Sequence, residues 1–135
     1  MKHRLDNSNG FTLAEILITL VILGIVAGLA IPVYTGMAEK GRVNEAVVAL
    51  NSIYMAQKVY ALNNSGNYWN PGANPTPALI NATLNVDFNL QYFSITSITA
   101  NNGVNPKTFQ AVAHRNIAGG IDYTIDQTGT ITPAP

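Results

Sequence analysis

The chain has 135 residues, seven Lys plus Arg against seven Asp plus Glu, no cysteine, and 10% charged residues beside 47% hydrophobic ones. That length holds one modest domain, and the lack of cysteine excludes disulfides and thiolate metal sites. Balanced charge supplies no overall field to draw in nucleic acid, an anionic membrane or an acidic substrate, and so few charges suit a chain with a membrane segment or extensive protein contacts.

Met1 to Gly10 form a short polar leader carrying Lys2, His3 and Arg4, and the apolar run that follows is free of charge from Ile16 to Met37. About 20 helical residues cross a hydrocarbon core, so this run is long enough to span a bilayer. The basic leader predicts a cytoplasmic N-terminus and an outward-facing C-terminal part.

The helical period continues past any membrane. Val43, Ala46, Val47, Leu50, Ile53 and Tyr54 recur at three- and four-residue intervals between Glu39, Lys40, Arg42, Glu45 and Asn51, which reads as an amphipathic second half. A helix from Phe11 to about Leu62 measures roughly 78 Å at the helical rise per residue. Its residues 11–38 form the apolar half and 39–62 the amphipathic half. Pro32 lacks the amide donor an interior position needs, so it predicts a kink, eased by Gly28 one turn earlier. Gly24 and Gly28, with Ala14, Ala27 and Ala30, are thin spots where neighbouring helices can approach, although such residues are also common in membrane helices generally.

Asn63-Asn64-Ser65-Gly66 is a stop signal, and the Pro- and Asn-rich stretch from Asn70 to Pro77 extends it into a loop. The head, residues 63–135, then predicts strands near Gln91 to Thr99, Thr108 to Arg115 and Gly120 to Asp126, in the last of which Ile121, Tyr123 and Ile125 alternate with polar residues. Asp126-Gln127-Thr128-Gly129 is a turn into a short strand from Thr130 to Thr132, before a Pro-Ala-Pro tail. The fold class is α+β: one long helix carrying a small antiparallel sheet.

Gly10-Phe11-Thr12-Leu13-Ala14-Glu15, continuing through an apolar helix to Ile31-Pro32, resembles the N-terminus of type IV pilins and of the pseudopilins of type II secretion. The resemblance covers about the first 50 residues and implies a ladle-shaped filament subunit. It implies that a prepilin peptidase cuts between Gly10 and Phe11 and methylates the new Phe11 amine. It further implies an inner-membrane precursor with lipid around its helix, an assembly platform that extracts it, and a homo-oligomeric filament at the cell surface. A carboxylate in an apolar span is costly without a partner. The resemblance supplies one for Glu15, the Phe11 amine of a neighbouring subunit, which would set the axial register; the other reading is a Glu15 that snorkels to the headgroups. For Pro32 the resemblance implies a point of extension under load, against a static kink at the membrane exit.

The favoured function is a structural subunit of a type IV pilus serving adhesion, motility or DNA uptake. The alternative is a pseudopilin, and the Tyr-Pro-x-x-x-x-Gly-Leu type of segment expected after the helix of major pseudopilins is replaced here by Asn67-Tyr68-Trp69-Asn70-Pro71. The cysteine pair that staples the C-terminal region of better-known pilins is also missing. A different class, a secreted binding module cut after Ala30 by an ordinary signal peptidase, conflicts with Glu15 inside the apolar stretch and with Pro32 two residues past the cut.

Enzyme chemistry finds little to work with: His3 lies in the leader, His114 stands beside Arg115 on a predicted strand, and no metal, cofactor or phosphate-loop motif is present. Asp122 and Asp126 share one strand face, too few ligands for a calcium site. Lys107, His114 and Arg115 are the head's basic groups against Asp87, Asp122 and Asp126, a poor cationic track for DNA. The aromatic residues Phe11, Tyr34, Tyr54, Tyr60, Tyr68 and Trp69 read as core and interface material. Asn63-Asn64-Ser65 and Asn81-Ala82-Thr83 match the N-glycosylation pattern, which arises readily by chance in an Asn-rich head.

Overall fold

A computed structural model describes residues 10–134. Lys2, His3 and Arg4 of the expected leader lie outside the described residues. The chain divides into two compact units, 1–39 and 40–135, and helix α1, Leu13–Asn63, contributes to both. Its bounds fall within two residues of the expected helix, and the helix runs through Pro32 without interruption.

Within the first unit every side chain from Phe11 to Met37 is exposed, and this part of α1 is long and apolar enough to cross a membrane. Among the described residues, nothing beyond the helix's own backbone approaches within 4 Å of where a Cβ would stand on Gly24 or Gly28. The small residues leave both positions open to outside neighbours.

The second unit is built on the other half of α1. Ala46, Ala49, Leu50, Ile53, Gln57 and Ala61 are buried, at the three- and four-residue spacing that places them on one stripe. They face a five-stranded antiparallel meander in the order β1 to β5: β1 Gly72–Ala73, β2 Phe93–Asn101, β3 Thr108–Arg115, β4 Asp122–Asp126 and β5 Ile131–Ala134. Ala46, Leu50 and Ile53 join Ile80, Leu84, Phe93, Ile95, Ile98, Phe109, Ala111, Ala113 and Ile125 in one core.

β3 alternates cleanly, with Phe109, Ala111, Ala113 and Arg115 inward and Gln110 and His114 outward. β2 does not. Its inward residues are Phe93 and Ile95, then Ile98, because a bulge between Ile95 and Ser97 adds a residue and shifts the phase. Thr96, the added residue, accepts a backbone bond from Asn74 at 2.6 Å.

Two sequence expectations need correction here, and one element was not among them. The stretch from Pro77 to Leu84 is helix α2. Thr76 caps it, its hydroxyl accepting the Leu79 N–H at 3.2 Å, with Pro77 in the first turn and Asn85 closing the far end in a left-handed conformation. Ile121 lies outside β4 and is exposed, so the inward alternation begins only at Tyr123. Pro133, expected in a tail, is part of β5 and pairs with Tyr123. A proline is tolerated there because β5 is an edge strand.

Two clamps hold the loop after α1. Gln57, fully buried, donates from Nε2 to the Trp69 carbonyl and accepts the Trp69 N–H at Oε1, both at 2.9 Å. Asn102 does the same for the adjacent residue, accepting Tyr68 N–H and donating to the Tyr68 carbonyl, again at 2.9 Å each. Side-chain amides thus replace a strand partner for two consecutive backbone residues.

The turn after β4 is tied to the helix without a covalent staple. Lys58 donates to the Gln127 carbonyl at 2.9 Å and to the Tyr68 hydroxyl at 3.3 Å, and its ammonium lies 5.3 Å from the Tyr54 ring centre. Gly129, at φ +83°, sits so close to Tyr54 that an added Cβ would lie 3.1 Å from Cζ. Glycine is required there twice over, for the backbone angle and for the contact.

Candidate functional site

The start of α1 concentrates the residues singled out from sequence. Leu13 is the first helical residue, which makes Thr12 the N-cap and Glu15 the third residue of the first turn. Glu15 Oε2 accepts the Thr12 backbone N–H at 2.8 Å and the Thr12 hydroxyl at 2.7 Å, while the Glu15 N–H donates to Thr12 Oγ1 at 3.3 Å. This reciprocal pair is a capping box. Each side chain satisfies an amide that the helix end would otherwise leave orphaned, and the carboxylate stands at the positive end of the helix dipole.

The capping box supplies a partner for Glu15 that neither sequence reading considered. Its signal, Thr12-x-x-Glu15 ahead of an apolar run, is present in the sequence, and Thr12 is the residue that reasoning missed. An uncut chain also constrains the chemistry: Phe11 carries an amide nitrogen, so no ammonium exists there to pair with Glu15 until the bond after Gly10 is broken. Phe11 is 85% exposed, and among the described residues nothing beyond the adjoining ones lies within 4 Å of a Cβ placed on Gly10. Pro32 and Gly28 sit farther along α1, where Thr35 donates its hydroxyl to the Pro32 carbonyl at 3.0 Å.

The head offers no comparable centre. His114 Nδ1 lies 2.7 Å from Asp122 Oδ1 on neighbouring strands, and that carboxylate also accepts the Arg115 N–H. Asp126 is occupied with its own turn: it accepts the Thr128 hydroxyl, the Thr128 N–H at 2.8 Å and the Thr130 N–H at 3.3 Å. The Thr128 hydroxyl bond is the main influence holding the Asp126 carboxyl below its ordinary value, partly opposed by burial. Asp122 and Asp126 therefore have separate partners, and among the described residues no group of three or more His, Asp or Glu side chains gathers around a cation-sized space.

The head's basic residues are dispersed as well. Lys107 donates to the Ser65 carbonyl and to Asn67 Oδ1. Arg115 is 7% exposed and lies over the Phe93 ring, 5.6 Å from its centre. Asn63 and Asn81, the two sequon asparagines, are both exposed.

Comparison with known proteins places the start of the chain in a described motif. The family described as the prokaryotic N-terminal methylation motif matches residues 5–31. Type II secretion system core protein G of Escherichia coli is 37% identical over 59 residues, which cover 44% of this chain and 41% of that protein. Type IV major pilin protein PilE1 of Neisseria gonorrhoeae is 34% identical over 95 residues, 70% of this chain and 41% of that one. The chain thus spans less than half the length of these two relatives. Type IV wide pilus major component PilA4 of Thermus thermophilus is 35% identical over 97 residues, and there the match covers 70% of this chain and 69% of the relative. No solved structure matches. Similarity that runs through the methylation motif, along the helix and into the head shows that the chain belongs to the family of type IV pilins and type II secretion pseudopilins.

Proposed function

We propose that this chain is a structural subunit of an extracellular type IV pilus. The observation that carries the reading is an apolar helix exposed along its whole first half, with one carboxylate held at its N-terminal end. Such a surface is stable in lipid, or packed against identical helices, and not in water. The chain would enter the inner membrane with its N-terminus in the cytoplasm, lose residues 1–10 to a prepilin peptidase and be methylated on Phe11. An assembly platform would then draw it into a filament at the cell surface.

Cleavage changes the partners available to Glu15. Before it, the Thr12 capping box satisfies the carboxylate within one chain. After it, the Phe11 amine of a neighbouring subunit becomes a charged alternative, and pairing across subunits fixes how far one helix slides past the next. Two carboxylate oxygens allow Glu15 to keep Thr12 on one while taking the amine on the other.

A pseudopilin is the second reading, favoured by the similarity to the core protein G relatives over 59 and 56 residues. Against it stands the match to the wide pilus component, which extends well into the head. The test is intact mass and N-terminal sequencing of sheared cell-surface material from the native host. A methylated Phe11 start in filaments supports the proposal. A start at Ile31, or soluble monomer without filaments, overturns it.

A further inference from the structure

We propose that the loop following α1 forms a binding site for a neutral saccharide. This inference goes beyond the filament reading and does not depend on it. A shallow cleft of about 570 Å³ opens in the head between the end of α1 and the β2–β3 turn, within the size range of small-molecule sites. Tyr60 and Trp69 line it, both half-buried with their inner sides packed against the core. Asn64, Asn67 and Asn70 stand around them.

Each of these three asparagines is fixed at one end of its amide by the protein. Asn64 Nδ2 donates to the Tyr60 carbonyl at 2.8 Å, Asn67 Oδ1 accepts from Lys107 at 2.6 Å, and Asn70 Nδ2 donates to the Ala100 carbonyl at 3.1 Å. Those bonds fix which way each amide points. Among the described residues nothing binds the other ends, so the cleft presents at least two free acceptors, on Asn64 and Asn70, and one donor group, on Asn67. Anchoring one end orients the other without further loss of side-chain entropy on binding.

The backbone beneath is equally fixed, since Gln57 and Asn102 clamp Trp69 and Tyr68. No carboxylate lines the cleft, and the nearby Lys107 ammonium is bonded to Ser65 and Asn67. Half-buried aromatic rings flanked by uncharged, oriented amides suit a ligand with apolar C–H faces and hydroxyls that both donate and accept. A pyranose has that chemistry. An anion would find no cation among the residues that line the cleft, and a wholly apolar ligand would leave three amide groups unpaired.

Trp69 is the chain's single tryptophan, so its emission reports on this cleft alone. The full chain, held in a sugar-free detergent, is titrated with maltose, lactose and N,N′-diacetylchitobiose, with sialyllactose as the charged comparison. A saturable change in emission with at least one neutral sugar is expected, weakened about tenfold in an Asn64→Ala, Asn70→Ala double variant. Both positions are exposed, and an unchanged emission maximum without sugar shows that the variant's head is intact; Asn67→Ala is the second variant should it shift. Absence of a saturable response to any of the three neutral sugars overturns the proposal, as does binding unaltered by these substitutions or stronger binding of the charged sugar. Because the unassembled chain is used, failure here leaves the filament reading standing.

Discussion

Gln57→Leu is the most informative single change in the head. The substitution keeps an apolar body of similar size in a fully buried position, but removes both hydrogen bonds to Trp69. A lost bond between neutral groups costs about 1 kcal/mol, and a partner left unsatisfied away from water about 1–3 kcal/mol. Trp69 is only half-buried, so water reaches part of what is exposed and the lower end applies: about 2–3 kcal/mol in all. For a head of this size each kcal/mol moves the melting temperature by about 4–8 °C, which gives a fall of roughly 10–20 °C. Thermal unfolding followed by both circular dichroism and Trp69 emission measures it. A melting temperature within about 2 °C of the parent would refute the argument that this amide pair substitutes for strand pairing. Asn102→Ala provides the companion. Since the two clamps hold adjacent residues, the double variant should lose less than the sum of the single losses.

Three further outcomes follow from the same structure. Glu15→Val should leave expression and membrane insertion intact while lowering the yield of sheared filaments, and Thr12→Ser, which retains the capping hydroxyl, should assemble as the parent does; normal yield from Glu15→Val refutes the role in register. Asp126 has a folded carboxyl held below the ordinary value of 3.8, so its contribution is present above that value and lost as pH falls through the lower folded one. Accordingly, the stability advantage of the parent over Asp126→Asn, read from denaturant midpoints, should hold near neutrality and vanish in strong acid. Gly120→Ala should destabilise the head by about 1–3 kcal/mol, because the new Cβ would stand 2.4 Å from Arg115 Cγ; an unchanged midpoint would mean that the Arg115 stem moves aside freely.

Where burial followed a single period, the sequence displayed it. The α1 stripe at Ala46, Leu50 and Ile53 was legible because that buried face repeats without interruption, and β3 stands at its expected bounds, Thr108–Arg115. β2 was placed two residues early, since Thr96 breaks its alternation and no residue type marks a bulge of that kind. α2 was hidden among turn formers, although Thr76-Pro77 ahead of Ala-Leu-Ile is a cap and first turn. At the candidate site, Glu15 was conspicuous for its charge, whereas Thr12 was overlooked because a threonine in an apolar run attracts no attention until the helix start is known. Gln57 could not have been found by pattern: a buried glutamine occupies a place on the stripe like any other, and its partner lies in a loop twelve residues away.

The last strand has a bearing on how many copies of this head can stand together. β5 forms one margin of the sheet, and Pro133 within it has no N–H to offer. A row of identical heads crowded along a fibre is the circumstance in which exposed sheet margins fuse into tangled, irreversible deposits. A margin interrupted by proline resists that fusion, so in a filament of the kind proposed, association would be left to the helices and kept from the sheets, where it would be indiscriminate.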